Sequence, residues 1–294
     1  MKQVLGLLLV GLMATPAVAQ ISVDGTKDAG YGGALAVQTV QTQFGDNESE
    51  MNAGYALIDS GRLYLMLTGN IQNNFNKLEI FIDSKAGGQS VFDSAGNDNA
   101  NAMDGLVFDA GFTADYHLIA RRGSNKFDLD FADLGAQSAN FYENVFGGAD
   151  FGSGNTGTGV NAAAIGVAYD GSNVAGVTGG TAAADQTAAA AVTTGLELSI
   201  DLADIDFAGG AINIMVGQNN GDHNYWSNQF LGGLAAPQGN LGGDGAGGFT
   251  GEGAIDFTTL AGNQFFTIRG IPEPASLGLA ALAGVSLLAV RRRK

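Results

Sequence analysis

Hydrophobic and polar positions alternate with a period of two in several stretches of this chain. In LEIFIDS, Leu78, Ile80 and Ile82 fall on one side, with Glu79 and Asp83 on the other. In KFDLDFADL, Phe127, Leu129 and Phe131 oppose Asp128 and Asp130. GLELSIDL sets Leu196, Leu198, Ile200 and Leu202 against Glu197, Ser199 and Asp201, and AINIMVG groups Ile212, Ile214 and Val216. Successive strand side chains point to opposite faces, so the pattern predicts antiparallel strands over a single core, with their polar faces outward. RLYLMLTG is apolar on both faces and predicts a central strand. Further strands are predicted at 35–40, 55–58, 105–112, 116–121, 165–169 and 264–269, with Asp59-Ser60-Gly61 as a tight turn. Residues 138–145 read as one short helix. About ten strands without a long helical period predict an all-β fold, an antiparallel β-sandwich of jelly-roll type.

Two stretches interrupt the alternation. Residues 147–192 are rich in Gly, Ala and Thr, and 231–253 are rich in Gly. Neither carries enough apolar surface to order a long segment by itself, so both are expected as surface loops of one domain spanning 20–270.

The two ends do not belong to that pattern. Lys2 precedes an apolar run at 4–13, and Ala17-Val18-Ala19 gives a small-x-small cleavage pattern, so 1–19 read as a helical secretory signal peptide and the body as exported. At the other end Pro272-Glu273-Pro274 leads into an apolar stretch at 277–290 and then Arg291, Arg292, Arg293 and Lys294. Counted from Ile271, this stretch reaches the roughly 20 residues of a transmembrane helix, and the basic end predicts a body held outside the cytoplasmic membrane. The three-part order over 271–294 resembles the PEP-CTERM sorting signal of exported bacterial proteins. That resemblance implies an exosortase as partner and a transient stay in the cytoplasmic membrane. It also implies removal of the tail, release to the cell surface or extracellular matrix, and an association with exopolysaccharide. A permanent anchor would give the same topology without cleavage.

Charge sharpens the picture. Between residues 21 and 270 eight basic residues stand against 28 acidic ones, a net charge of about −20. Nucleic acid and anionic membrane surfaces are therefore unsuitable partners, and cations are suitable ones. The absence of cysteine excludes disulfides and thiol chemistry.

ISVDGTKDAGYG, YALIDSGRLYLMLTGNI, NKLEIFIDSKAGGQ and the late LELSIDLADI together resemble the family 9 carbohydrate-binding-like sandwich and its DOMON-like relatives. The resemblance covers most of 21–217 except the first low-complexity stretch, and it implies the sandwich fold and, in many members, structural calcium.

Two candidate sites follow. The acidic run FIDSKAGGQSVFDSAGNDNANAMDGLVFD offers hard oxygen ligands at Asp83, Asp93, Asp98 and Asp104 that suit calcium, although its spacing is not that of an EF-hand. A solvated Asx-rich turn is the alternative. The loop NGDHNYWSNQF places Asp222, His223, Asn224 and Tyr225 beside Trp226, the sole tryptophan, and so combines an aromatic face with hydrogen-bonding groups, as a glycan site requires. Anchoring of the loop by Trp226 is the alternative. The pair of tryptophans that clamps sugar in family 9 modules is not present. Of the two histidines, His117 lies in the strand YHLIARR, where a structural or exposed role is expected. The expected function is thus a non-enzymatic surface or matrix protein, with a carbohydrate-binding module as the alternative and a secreted carboxylate hydrolase behind it.

Overall fold

The structure is a computed structural model that describes residues 20–269 apart from 149, 245 and 247. The signal helix expected at 1–19 and the sorting signal expected at 271–294 lie outside the described residues. Thirteen strands form among the described residues: β1 (Ala36–Val37), β2 (Glu50–Asp59), β3 (Arg62–Asn70), β4 (Lys77–Asp83), β5 (Tyr116–Gly123), β6 (Lys126–Asp133), β7 (Ser138–Gly147), β8 (Phe151–Asn155), β9 (Gly166–Asp170), β10 (Gly195–Asp201), β11 (Ala211–Asn219), β12 (Trp226–Leu231) and β13 (Phe265–Arg269). They make two antiparallel sheets. One runs β1-β2-β3-β10-β9-β8 and the other β12-β11-β4-β5-β6-β7, with β13 pairing β11 alongside β12. The predicted all-β sandwich is therefore present. Among the described residues no helix is long and apolar enough to cross a membrane.

The turn chemistry follows the sequence closely at one point. Asp59 pairs with Arg62, which leaves Ser60 (φ 49°) and Gly61 (φ 78°) as a two-residue hairpin with both residues left-handed. Such a turn matches the twist of its strands, and glycine meets the second position without strain.

The alternating apolar positions all point inward. Leu78, Ile80 and Ile82 meet Phe127, Leu129 and Phe131, Leu196, Leu198 and Ile200, and Ile212, Ile214 and Val216 in one buried cluster between the sheets. At ~25 cal/mol per Å² of apolar surface removed from water, this layer is the main stabilising term of the sandwich.

The expectation of a single core with polar outer faces is corrected. A second buried cluster lies on the outer face of the seven-stranded sheet, where Phe81, Ile119 and Met215 meet Phe92, Met103, Leu106, Phe108 and Phe112 from 92–112 and Trp226, Phe230 and Phe257 from the later chain. Loops fold back over the sheet, so its polar positions are buried too: Glu79 is 0% exposed and Asp130 1%. The other sheet is covered similarly. Glu197 accepts the backbone N–H groups of Asp24 and Gly25 and the Tyr31 hydroxyl, which seats the start of the described chain across β10.

Three local expectations also change. Residues 138–145 are strand rather than helix: they pair with β6 as part of β7, and Phe146 stacks on Phe127 with centroids 4.8 Å apart. Cross-strand packing of this kind decides structure more strongly than local propensity. Residues 105–112 make isolated bridges instead of a strand, because Leu106, Phe108 and Phe112 turn into the second cluster. The stretch 147–192, expected as loop apart from the predicted strand at 165–169 that appears as β9, also supplies β8 and the helix α1 (Gln186–Ala191), whose first turn is capped by Asp185 accepting from the N–H of Thr187 and Ala188.

Candidate functional site

The strand register fixes which side chains share the outer face of the seven-stranded sheet. Asn219 pairs with Lys77 and Lys77 with Arg121, while Gly217 lies opposite Glu79 and Ile119 opposite Asp130. One end of this face is apolar and belongs to the second cluster. The other end is ionic.

Glu79 sits at its centre. Its Oε2 is 2.7 Å from His117 Nε2, and its Oε1 is 2.7 Å from His223 Nε2; all three side chains are fully buried. Burial alone would raise the Glu79 pKa, but the charge of His223 and hydrogen bonds from both imidazoles reverse that and hold the carboxyl far below the usual glutamate range. The His117 ring is stacked on Phe81 at 4.4 Å, which fixes its plane. Asn219 Nδ2 donates to Glu79 Oε1 at 3.3 Å and to Glu252 Oε2 at 3.0 Å. Glu252 is also sealed, and burial first, then the charge of Glu79, push it up to about 9, so it is held as the neutral acid.

Cations close the cluster. Lys77 Nζ lies 2.6 Å from Asp98 Oδ2 and 3.2 Å from His223 Nδ1. Arg121 Nη1 reaches Asp130 at 2.9 Å and Asp98 at 3.3 Å. Burial raises the Asp130 pKa and the Arg121 charge opposes the rise. Because such buried charges are costly unless paired, the arrangement of partners is tightly specified.

Above this floor the surface is concave. A cleft of about 610 Å³ is lined by Phe75, Lys77, Asp98, Arg121, Asp222 and Tyr225 among others, and a second of about 570 Å³ by Asn97, Asp98, Arg121, Gln137, Asn140 and Phe141. They share Asp98 and Arg121, so the two form one open groove across the ionic end. Its aromatic groups are presented to solvent: Phe75 is 39% exposed and Phe141 51%. Phe141 carries the Arg121 guanidinium 4.9 Å from its ring centroid. Phe75 sits at φ 67°, an uncommon conformation for a bulky residue, and its ring packs against Gly123, where a Cβ would come within 2.4 Å. Tyr225 stacks on Phe249 at 4.9 Å and meets Phe44 edge-on.

The predicted glycan residues divide between these layers. Asp222 and Tyr225 line the groove, and Asn224 is half-buried beside them. His223 and Trp226 are 1% and 0% exposed. Trp226 lies over Gly217, packs on Phe230 at 5.1 Å, and offers no face to solvent, so the expected platform is an anchor instead. The predicted calcium residues do not converge. Asp83 accepts from Asn213 Nδ2, Asp104 accepts from the Ser94 N–H, Asp98 is paired with Lys77 and Arg121, and Asp93 is exposed. Among the described residues no group of three or more His, Asp or Glu side chains is arranged to hold a metal ion.

Sequence reasoning missed Lys77, Glu79, Arg121, Asp130, Glu252, Phe75 and Phe141. The first four occupy alternate positions of predicted strands, and their polarity there was the available signal. Glu252 and the two phenylalanines carried none.

Fold and site define a class: an all-β protein of two antiparallel sheets with a sealed ionic cluster beneath an open, aromatic-edged groove. No family model, curated protein or solved structure matches the chain.

Proposed function

We propose that this is an exported, non-enzymatic cell-surface or extracellular-matrix protein, sorted by an exosortase and associating with exopolysaccharide. The observation that carries the reading is the order Pro272-Glu273-Pro274, apolar stretch, Arg291-Arg292-Arg293-Lys294 at one end, set against the export signal at the other. A cysteine-free body of about −20 net charge agrees with life outside the cell as a soluble, self-repelling particle. Cell fractionation tests it. Body lacking the tail is expected in the surface and medium fractions, and loss of the exosortase is expected to leave tailed protein in the membrane. Intact chain dissolved in the cytoplasm overturns the reading.

A second reading is favoured by the groove: a carbohydrate-binding module. Phe75, Phe141 and Tyr225 supply apolar faces for sugar rings, while Asn140, Gln137 and Asp222 supply hydrogen-bond partners. The acidic body favours uncharged glycans over anionic ones. Titration with neutral exopolysaccharide is expected to give saturable binding that falls about tenfold or more in Phe75→Ala and Phe141→Ala, equivalent to roughly 1.4 kcal/mol. Unchanged affinity in both variants removes the groove from consideration.

A further inference from the structure

The two clefts of the groove meet over one ion pair. Asp98 and Arg121 line both, with Phe75 and Tyr225 in one cleft and Phe141 in the other. A ligand seated on this pair therefore has room to continue in both directions. Arg121 is placed by β5, opposite Lys77 of β4. Asp98 comes from the stretch that covers the sheet, with its backbone left-handed at φ 45°, a conformation aspartate tolerates better than most residues.

The protein uses only part of each side chain. Arg121 Nη1 donates to Asp130 Oδ1 at 2.9 Å and lies 3.3 Å from Asp98 Oδ2. Arg121 Nε and Nη2 have no hydrogen-bond partner among the described residues, and neither is sealed from solvent. The N–H groups of these two atoms point side by side in the guanidinium plane, a rigid fork that fits two adjacent acceptors. Phe141 covers one face of that plane, 4.9 Å from its ring centroid. Asp98 is half used in the same way. Its Oδ2 takes Lys77 at 2.6 Å and faces Arg121, while its Oδ1 has no hydrogen-bond partner and is likewise not sealed. The meeting point of the clefts thus offers two parallel donors with an acceptor beside them.

Two groups of a polysaccharide present adjacent acceptors to such a fork: a carboxylate, and a pair of hydroxyls on neighbouring ring carbons. The carboxylate has no proton for Asp98 Oδ1 and meets its charge, within a body of about −20. The diol accepts from both guanidinium nitrogens and donates a proton of its own to Oδ1, so that all three groups are met.

We propose that the Asp98–Arg121 pair is the specificity element of the groove and reads a vicinal diol on a sugar unit in the interior of a neutral polysaccharide. The neighbouring units then lie along the aromatic groups of the two clefts. This inference rests on the carbohydrate-binding reading and adds the linkage that the groove accepts. A glucan joined through carbons one and four keeps hydroxyls on carbons two and three of every interior unit. A glucan joined through carbons one and three keeps no adjacent pair there.

Titration calorimetry of the protein with soluble four-linked and three-linked glucans tests it. Affinity is expected to be about tenfold or more higher for the four-linked polymer, since a site built to bond hydroxyls rejects a partner that lacks them. Opening the diols of that polymer with periodate and reducing the product is expected to abolish the advantage. Arg121→Lys keeps the charge beside Asp130 and removes the fork, and is expected to bring the two glucans within about twofold of each other. Should that variant fail to fold, Asp98→Asn removes the charged acceptor and is expected to narrow the preference likewise. Phe141→Ala is expected to weaken both glucans and keep their ratio. Equal affinity for the two glucans, with both weakened by Phe141→Ala, overturns this inference and leaves the carbohydrate reading standing; binding of neither removes both. A folded Arg121→Lys or Asp98→Asn variant that keeps the full preference also overturns it, as does tighter binding of a four-linked polyuronate, which would give the fork to a carboxylate.

Discussion

Glu252 shows most directly what burial does to a single residue here. Burial and the nearby Glu79 charge push its carboxyl up to about 9, whereas in the unfolded chain it ionises near the ordinary value of about 4.3. Between those values the folded protein keeps a proton that the unfolded chain has released. Its stability is therefore full below the lower value and declines as pH rises towards the upper one, by at most about 1.4 kcal/mol per pH unit. Glu252→Gln retains the shape and removes the ionisation. Thermal unfolding at about pH 6 and about pH 9 is expected to show a smaller loss of Tm in this variant than in the wild type; parallel losses would contradict the assignment. This residue was invisible in the sequence, where Gly251-Glu252-Gly253 reads as exposed loop. Nothing local marks a side chain whose partners, Asn219 and Glu79, lie 33 and more residues away. Trp226 was legible as important but not as to role. A lone tryptophan among polar neighbours looks like a binding platform until the chain that covers it is in place.

Among the elements, the strands that were easiest to read are those whose inner faces meet in the central core. Period-two alternation located β4, β6, β10 and β11 because one face of each is uniformly apolar. It misjudged the opposite faces, since polar residues there are buried against loops rather than water. Residues 138–145 were misread because β7 is made a strand by its pairing with β6, and pairing is not a local property. The element most exposed to a small change is β11 at Gly217. A Cβ there would come 2.4 Å from Trp226 and 2.5 Å from Phe230, two rigid rings with no room to retreat. Gly217→Ala is expected to cost about 1–3 kcal/mol by overpacking, read from chemical denaturation, and to move the Trp226 emission to the red. A variant as stable as the wild type with unchanged emission would show that the rings are less firmly seated than the contacts indicate.

For the molecule as a whole, loops coat the outer faces of both sheets, so buried apolar clusters lie outside the sandwich as well as within it. The coat comes from widely separated stretches, one of which, 231–253, was read as loose surface loop because glycine dominates it. Composition anticipated its lack of regular structure and not its duty as cover. The groove was legible only in fragments, since Phe75, Arg121, Phe141 and Tyr225 come from four parts of the chain and meet only through the sheet register. Charge was legible at once, and it explains why so few cations serve so many purposes: Lys77 and Arg121 between them tie down Asp98 and Asp130.

The hairpin that joins β2 to β3 carries a different message. Its two left-handed residues close the tightest connection in the six-stranded sheet between strands adjacent in sequence. A chain made from one end can form that corner first, within neighbours already delivered, and so has a seed on which later arrivals condense.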